Sequence, residues 1–132
     1  MEDQPMSIPS QSPTHYGYAS ASDMTWSRSE KAIARQAFDA ALKRELHELM
    51  EEAKEIAGKI KQPSDLWDLQ GYLTQRRKEI DHKYNYRYSH LTQVFGRLLY
   101  ETRVREEELR GFSEDKLRTI RSLAKFLAED AV

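Results

Sequence analysis

The stretch that decides the fold is residues 65–88, DLWDLQGYLTQRRKEIDHKYNYRY. Apolar residues recur along it at the three- and four-residue spacing of a buried helical face, namely Leu66, Leu69, Leu73 and Ile80. The sequence therefore predicts a central helix that runs to about Lys83 and is followed by a turn at residues 84–88.

Trp67 does not belong to that apolar face. At about 100° per residue it points away, and its neighbours on the helix are Gln70, Gly71, Thr74 and Lys78. A large aromatic side chain on a polar helical face indicates a contact made outside the local hairpin. Gly71 costs roughly 1 kcal/mol relative to alanine in a helix interior. Either another group approaches closely there or the glycine is merely tolerated, and the sequence leaves both explanations open.

A longer helix is predicted before the central one. Ser27 and Glu30 have the spacing of a capping box, and no helix breaker follows before Gly58. The apolar residues then step at close to a heptad spacing, namely Phe38, Leu42, Leu46, Leu49, Ala53, Ile56 and Ile60. A helix reaching about Lys61 would be about 50 Å long at 1.5 Å per residue. A globule of this size is shorter, so a second copy of the chain is the expected partner for the exposed stripe.

The two helices are joined by a short break. Pro63 suits the first turn of the central helix, and Ser64 is predicted to be its cap. Beyond the central helix, the apolar face of a third helix is given by Leu91, Val94, Phe95, Leu98 and Leu99. Residues 106–110 are predicted to form a short helical turn that ends at Gly111, and Ser113 is predicted to cap the last helix. That helix has its own apolar face, made of Leu117, Ile120, Leu123, Ala124 and Leu127.

The predicted fold class is therefore all-α, with a long N-terminal helix that pairs with a central helix and a compact C-terminal helical head. Residues 1–24 are rich in Ser, Pro and Gln without apolar periodicity, and they are predicted to be a disordered arm. Residues 25–132 are predicted to be a single domain. Within it, residues 25–83 form the dimerising helices and residues 84–132 form the helical head.

The composition of the chain argues against several functional classes. The chain has 132 residues with 21 Lys+Arg against 22 Asp+Glu, a balance that disfavours a general binder of nucleic acid or membrane surfaces. It has no cysteine, so thiolate chemistry is excluded. No apolar run approaches the roughly 18 residues of a membrane span, and no leader precedes a cleavage site. We expect a cytoplasmic protein that does not insert into membranes.

No motif predicts catalysis, a cofactor or a metal site. His47 and Glu51 lie four residues apart, a spacing that can hold a metal, but no third ligand accompanies them. No phosphate loop or nucleophile elbow is present, so we expect no enzyme activity. A secondary patch is predicted at Arg76, Lys78, Tyr84, Tyr86 and Arg87, where a protein partner is favoured over nucleic acid.

The central stretch resembles the fluorescence recovery protein family of cyanobacteria. The similarity lies in three motifs, which are Leu66-Trp67, then Arg77 with Glu79, Ile80 and Asp81, and then Lys83 and Tyr84 with Tyr86 and Arg87. It extends over about residues 26–123, so residues 1–24 lie outside it. The resemblance implies an all-helical antiparallel homodimer without catalysis. It also implies a partner, the photoactivated orange carotenoid protein, whose return to the resting form ends quenching at the phycobilisome.

The resemblance further implies a functional patch of Trp, His, Asp and Arg on the central helix. Trp67 and Arg77 match two of these positions, whereas Gln70 and Gly71 stand in place of the His and Asp. The predicted partner-binding or dimer patch is Leu66, Trp67, Gln70, Gly71, Thr74 and Arg77. The two replacements leave open an alternative, in which the dimeric scaffold is an adaptor for an unrelated protein.

Overall fold

The structure is a computed structural model, and it describes residues 25–131. Four α-helices follow one another, α1 (Arg28–Gly58), α2 (Pro63–Lys83), α3 (Leu91–Tyr100) and α4 (Glu114–Asp130), with a 3₁₀ helix (Glu106–Leu109) between α3 and α4. Within the described range no β-strand forms, so the predicted all-α class is confirmed. The predicted arm at residues 1–24 lies outside the described residues.

α1 begins as its sequence predicts. The hydroxyl of Ser27 accepts a hydrogen bond from the backbone N–H of Glu30 at 3.1 Å, and the Glu30 carboxylate accepts one from the Ser27 N–H at 2.9 Å. The helix ends at Gly58, three residues before the predicted end. The backbone N–H groups of Lys59 and Ile60 bond three residues back, which is the tighter pattern of a terminating turn.

The predicted cap of α2 is wrong. Pro63 occupies the first helical position, so the cap falls on Gln62, and Ser64 lies inside the first turn. The carboxylate of Asp65 reaches back instead and accepts hydrogen bonds from the N–H groups of Lys61 at 2.9 Å and Gln62 at 3.2 Å. α2 ends at Lys83, and residues 84–88 are non-helical, as predicted.

The hydrophobic core joins the first part of α1 to α3, the 3₁₀ helix and α4. Its buried members are Trp26, Ala34, Ala37, Phe38, Ala41, Leu91, Val94, Phe95, Leu98, Val104, Leu109, Phe112 and Ile120. α3 and α4 pack closely, since a Cβ at Gly96 would lie 2.7 Å from the Leu123 side chain. We call residues 25–41 and 84–131 the globular end and residues 42–83 the hairpin.

The connections of the globular end follow the predicted pattern. Gly111 ends the 3₁₀ segment with φ +110°, a backbone conformation that favours glycine. The Ser113 hydroxyl caps α4 by accepting from the N–H of Lys116 at 3.3 Å. On α4 only Ile120 of the predicted apolar face is fully buried, and Lys116 is buried beside it. No helix in residues 25–131 combines the length and apolar character required to cross a membrane.

Candidate functional site

The outer face of α2 carries the residues predicted to bind a partner. Trp67 is 65% exposed, and the Arg77 side chain is 85% exposed. Gln70, Gly71 and Thr74 are exposed as well, on the same side of the helix. A Cβ at Gly71 would have no neighbour within 4 Å among residues 25–131, so no close approach by that part of the chain explains this glycine. The structure therefore brings the predicted patch together as one open surface on a single helix.

An apolar stripe on the hairpin is also exposed. Leu66 is 49% exposed, and Leu73 of α2 and Leu46 and Met50 of α1 are exposed too. The prediction that Leu66, Leu69, Leu73 and Ile80 form a buried face holds within one chain only for Ile80. The hairpin thus presents large apolar side chains that the described part of the chain does not cover.

Polar contacts fix which side of α2 faces outward. Tyr72 lies on the side of α2 that faces α1, and its hydroxyl donates a hydrogen bond to the carboxylate of Glu52 on α1. One turn further, Arg76 Nη2 lies 3.3 Å from Glu45 Oε2 of α1. Because these groups tie the inner face of α2 to α1, Trp67 points away from it.

Glu45 is the centre of this polar contact, and only 1% of its surface is exposed. Its carboxylate accepts hydrogen bonds from Lys83 Nζ at 2.9 Å and from the Tyr84 hydroxyl at 2.8 Å. Arg103 Nε, from the segment after α3, lies 3.1 Å away. Burial alone would raise the pKa of Glu45, but the hydrogen bonds from Lys83 and Tyr84 and the nearby positive charges outweigh burial and hold the pKa below its ordinary value.

A second carboxylate, Glu101, extends the cluster. It accepts from Lys83 Nζ at 2.7 Å, from Arg97 Nε at 2.9 Å and from Arg103 Nε at 3.0 Å. Burial again opposes ionisation, and these three cations again lower the pKa. We call Glu45, Arg76, Lys83, Glu101 and Arg103 the ionic cluster. It joins α1, α2 and the segment that follows α3.

The predicted secondary patch is divided by the fold. Arg76 and Tyr84 both bind Glu45. Tyr86 packs edge-on against Phe38 and under the guanidinium of Arg35, whose central carbon is 3.6 Å from the ring centre. Lys78 and Arg87 remain exposed. These five residues therefore do not form one continuous surface, and Arg76 is occupied by internal contacts.

Glu45 was not among the residues predicted from sequence. A signal for it exists, because it follows Phe38 and Ala41 at helical spacing and so lies on the apolar side of α1. An open groove of about 910 Å³ adjoins the cluster between the hairpin and the α3–α4 pair, and its walls include His82, His90 and Leu127. In the described residues no group of three or more His, Asp or Glu side chains is arranged to hold a metal ion.

Comparison with known proteins adds the family. The family model described as photoprotection regulator fluorescence recovery protein matches residues 26–124, three quarters of the chain. The chain belongs to this family. The match covers the hairpin and most of the globular end, including Trp67, Arg77 and the whole ionic cluster.

Individual members of the fluorescence recovery protein family are similar to this chain in sequence and in structure. The fluorescence recovery protein of Synechocystis sp. (strain ATCC 27184 / PCC 6803 / Kazusa) is 40% identical over 100 residues, which is 76% of this chain and 92% of that protein. Its solved structure has a TM-score of 0.73 and covers 76% of this chain and 99% of the other. The Fremyella diplosiphon fluorescence recovery protein is 38% identical, with a TM-score of 0.72 and the same coverage. The predicted family resemblance is confirmed.

Proposed function

We propose that this photoprotection regulator binds the photoactivated orange carotenoid protein in the cytoplasm and accelerates its return to the resting state. The single observation that carries the proposal is the position of Trp67. In a chain of this family, this tryptophan is 65% exposed on a helix whose other side is attached to α1 through Tyr72 and Arg76. Exposed tryptophan and arginine are the side chains that most often dominate protein interfaces.

Binding alone is sufficient for this activity. A protein that binds one conformation of its partner more tightly than another shifts the population between them without covalent chemistry. The return is accelerated when the regulator also stabilises the transition state between the two forms. We therefore propose no catalytic residue and no cofactor. The outer face of α2 supplies an indole at Trp67 and a guanidinium at Arg77 for contacts with a protein surface.

The proposed active form is an antiparallel homodimer. The exposed stripe of Leu46, Met50, Leu66 and Leu73 runs along the hairpin, on both of its helices. Large exposed apolar side chains grouped on one part of a monomer indicate an interaction site. A second copy of the chain presents the same stripe, so a two-fold axis allows each hairpin to cover the other.

A second candidate function is that of an adaptor with the same scaffold and a different protein partner. The observation that favours it is the pair Gln70 and Gly71, which occupy the patch where the family resemblance implies a His and an Asp. Without them, Arg77 has no charge partner from those positions, although its Nε lies 3.8 Å from Asp81 Oδ2. The two candidates differ in one respect, which is whether the carotenoid protein is bound.

Co-elution in size-exclusion chromatography separates the two candidates. We expect the protein to co-elute with the orange carotenoid protein under continuous illumination and to a smaller extent in the dark. Trp67→Ala should weaken co-elution. Phe126→Ala is the matched control, because Phe126 is 61% exposed on α4 and lies outside the proposed face. Absence of co-elution in both light and dark would favour the adaptor.

A further inference from the structure

We infer that Glu45 is a positioning residue, which fixes the hairpin against the globular end and so sets the direction in which the outer face of α2 points. Its carboxylate binds two α2 side chains, Arg76 and Lys83, and two side chains of the globular end, Tyr84 and Arg103. The link to partner binding rests on the proposed function. The link to the geometry of the hairpin does not.

Apolar packing cannot set the rotation of α2 alone. Ile80 is the one buried residue of this 21-residue helix. The contacts that specify its inner face are polar, at Tyr72, Arg76 and Lys83. Two of these three end on Glu45, so one carboxylate on α1 determines most of the rotational setting of α2.

Three cations surround Glu45, so the position of the hairpin depends on the negative charge of this carboxylate. Arg76, Lys83 and Arg103 keep between 14% and 18% of their side-chain surface exposed, so each is largely desolvated. A charged side chain in such a place is costly unless an opposite charge is close. If Glu45 lost its charge, the three cations would repel one another more strongly. Their remaining counter-ions would be Glu101 for Lys83 and Arg103, and the half-exposed Glu48 for Arg103 and Glu79 for Arg76. The hairpin can relieve this repulsion by moving away from the globular end.

The backbone after α3 is strained where it enters the ionic cluster. Thr102 has φ +59°, in the left-handed region that β-branched residues rarely adopt. Its two neighbours are Glu101 and Arg103. Such a conformation persists only where the surrounding contacts enforce it. The backbone N–H groups of Thr102 and Arg103 bond to the carbonyls of Leu99 at 3.0 Å and Leu98 at 2.9 Å, a pattern that ends a helix with a left-handed residue. The end of α3 therefore enforces this conformation, and it places Glu101 and Arg103 on either side of the turn, where both reach the cluster.

The experiment measures the distance between hairpin and globular end in the intact protein. Because the chain has no cysteine, spin labels can be placed on two introduced cysteines, Lys78→Cys on α2 and Arg118→Cys on α4, both at exposed positions. Labelled protein is diluted into an excess of unlabelled protein so that each dimer carries one labelled chain. Pulsed electron–electron double resonance then gives the distribution of distances between the two spin labels.

Glu45→Gln, which removes the charge but keeps the shape, should broaden this distribution and move it to longer distances. Glu48→Gln is the matched control, since Glu48 lies one turn further on α1 and also pairs with Arg103, but it binds no α2 residue. It should leave the distribution unchanged. If Glu45→Gln fails to fold, Lys83→Gln removes one cation only and should broaden the distribution to a smaller extent. Equal distributions for the folded Glu45 or Lys83 variant and the wild type would overturn the assignment.

A second readout separates positioning from general stability. Misorientation lowers the fraction of molecules that can bind, and this raises the apparent dissociation constant without altering the bound complex. In the recovery assay of the carotenoid protein, Glu45→Gln should therefore raise the half-saturating concentration several-fold and leave the maximal rate unchanged. A reduced maximal rate with an unchanged half-saturating concentration would contradict positioning. No acceleration by the wild type would reject the proposed function, while the distance measurement would still decide the role of Glu45.

Discussion

The indole Nε1 of Trp26 donates a hydrogen bond to the backbone carbonyl of Tyr88 at 3.1 Å, across 62 positions of the chain. The Trp26 ring also packs edge-on against Phe112, with ring centres 5.3 Å apart. These contacts fasten the start of α1 to the turn after α2 and to the segment before α4. Trp26, the residue at which the family match begins, therefore connects separate segments of the globular end.

Trp26→Ala should lower the free energy of unfolding by about 3–5 kcal/mol, the usual cost of removing a buried large aromatic side chain. Trp26→Phe should cost less, because it retains most of the packing and loses the hydrogen bond. Urea denaturation followed by circular dichroism measures both. Deletion of residues 1–24 is the control, and we expect it to leave the unfolding midpoint unchanged. A Trp26→Ala midpoint equal to that of the wild type would show that the indole contacts contribute nothing.

Acid should weaken the attachment of the hairpin. The pKa of Glu45 and the pKa of Glu101 both lie below the ordinary carboxyl value of 4.5 in the folded protein. A group whose pKa is lowered by folding contributes stability above its unfolded pKa and loses it as pH falls toward the folded pKa. The melting temperature should therefore change little between pH 7 and about pH 5 and fall below about pH 4.5. In Glu45→Gln this fall should be shallower, whereas an identical fall would show that other groups cause it.

Leu66→Glu should convert the proposed dimer to monomers. Leu66 lies on the exposed stripe, so within one chain the glutamate remains in water and the fold is retained. In the dimer the same carboxylate would be buried against apolar side chains without a partner, at a cost of several kcal/mol. Sedimentation velocity at micromolar concentration should show a dimer for the wild type and a monomer for the variant. A monomeric wild type would refute the dimer.

Thr92→Val should stabilise the globular end. Thr92 is buried on α3, and its hydroxyl has no hydrogen-bond partner among the described residues. An unsatisfied buried polar group costs about 1–3 kcal/mol, and valine has nearly the same shape without that group. The expected gain is about 1 kcal/mol in the free energy of unfolding. The measurement is thermal unfolding of both proteins, and a lower melting temperature for Thr92→Val would mean that the hydroxyl is in fact satisfied.

The helices could be predicted from sequence because their determinants are local. The capping box at Ser27 and Glu30 and the cap at Ser113 act within one turn of their own helices. The determinants of the α2 cap are also local, but they were misread. Pro63 takes the first helical position, and the Asp65 carboxylate accepts the hydrogen bonds at the start of the helix, so Ser64 is not the cap. The exposure of Trp67 followed from its angle on the helix.

The ionic cluster could not be predicted in this way. Glu45 meets Arg76 and Lys83 from 31 and 38 positions away along the chain, and their contact depends on how α1 and α2 pair. In sequence, Arg76 belongs to a basic run and is indistinguishable from the exposed Arg77 beside it. Periodicity also could not decide whether the stripe at Leu66 is covered by its own chain or by another.

The proposed function depends on the face of α2 that carries Trp67, and Gln70 and Gly71 beside it are both exposed. Gly71 has open space for a Cβ, and aspartate has a slightly higher helix propensity than glycine. The Gln70→His/Gly71→Asp double variant would add a polar pair near Trp67 and Arg77. We expect this variant to bind the carotenoid protein more strongly than the wild type does.

The decisive measurement is the rate at which the photoactivated orange carotenoid protein regains its resting absorbance in the dark. The wild type should shorten the half-time of recovery, the double variant should shorten it further, and Trp67→Ala should lose most of the effect. A wild type as fast as the double variant would show that Gln70 and Gly71 do not limit activity. A half-time with wild-type protein equal to that of the carotenoid protein alone would contradict the proposed function.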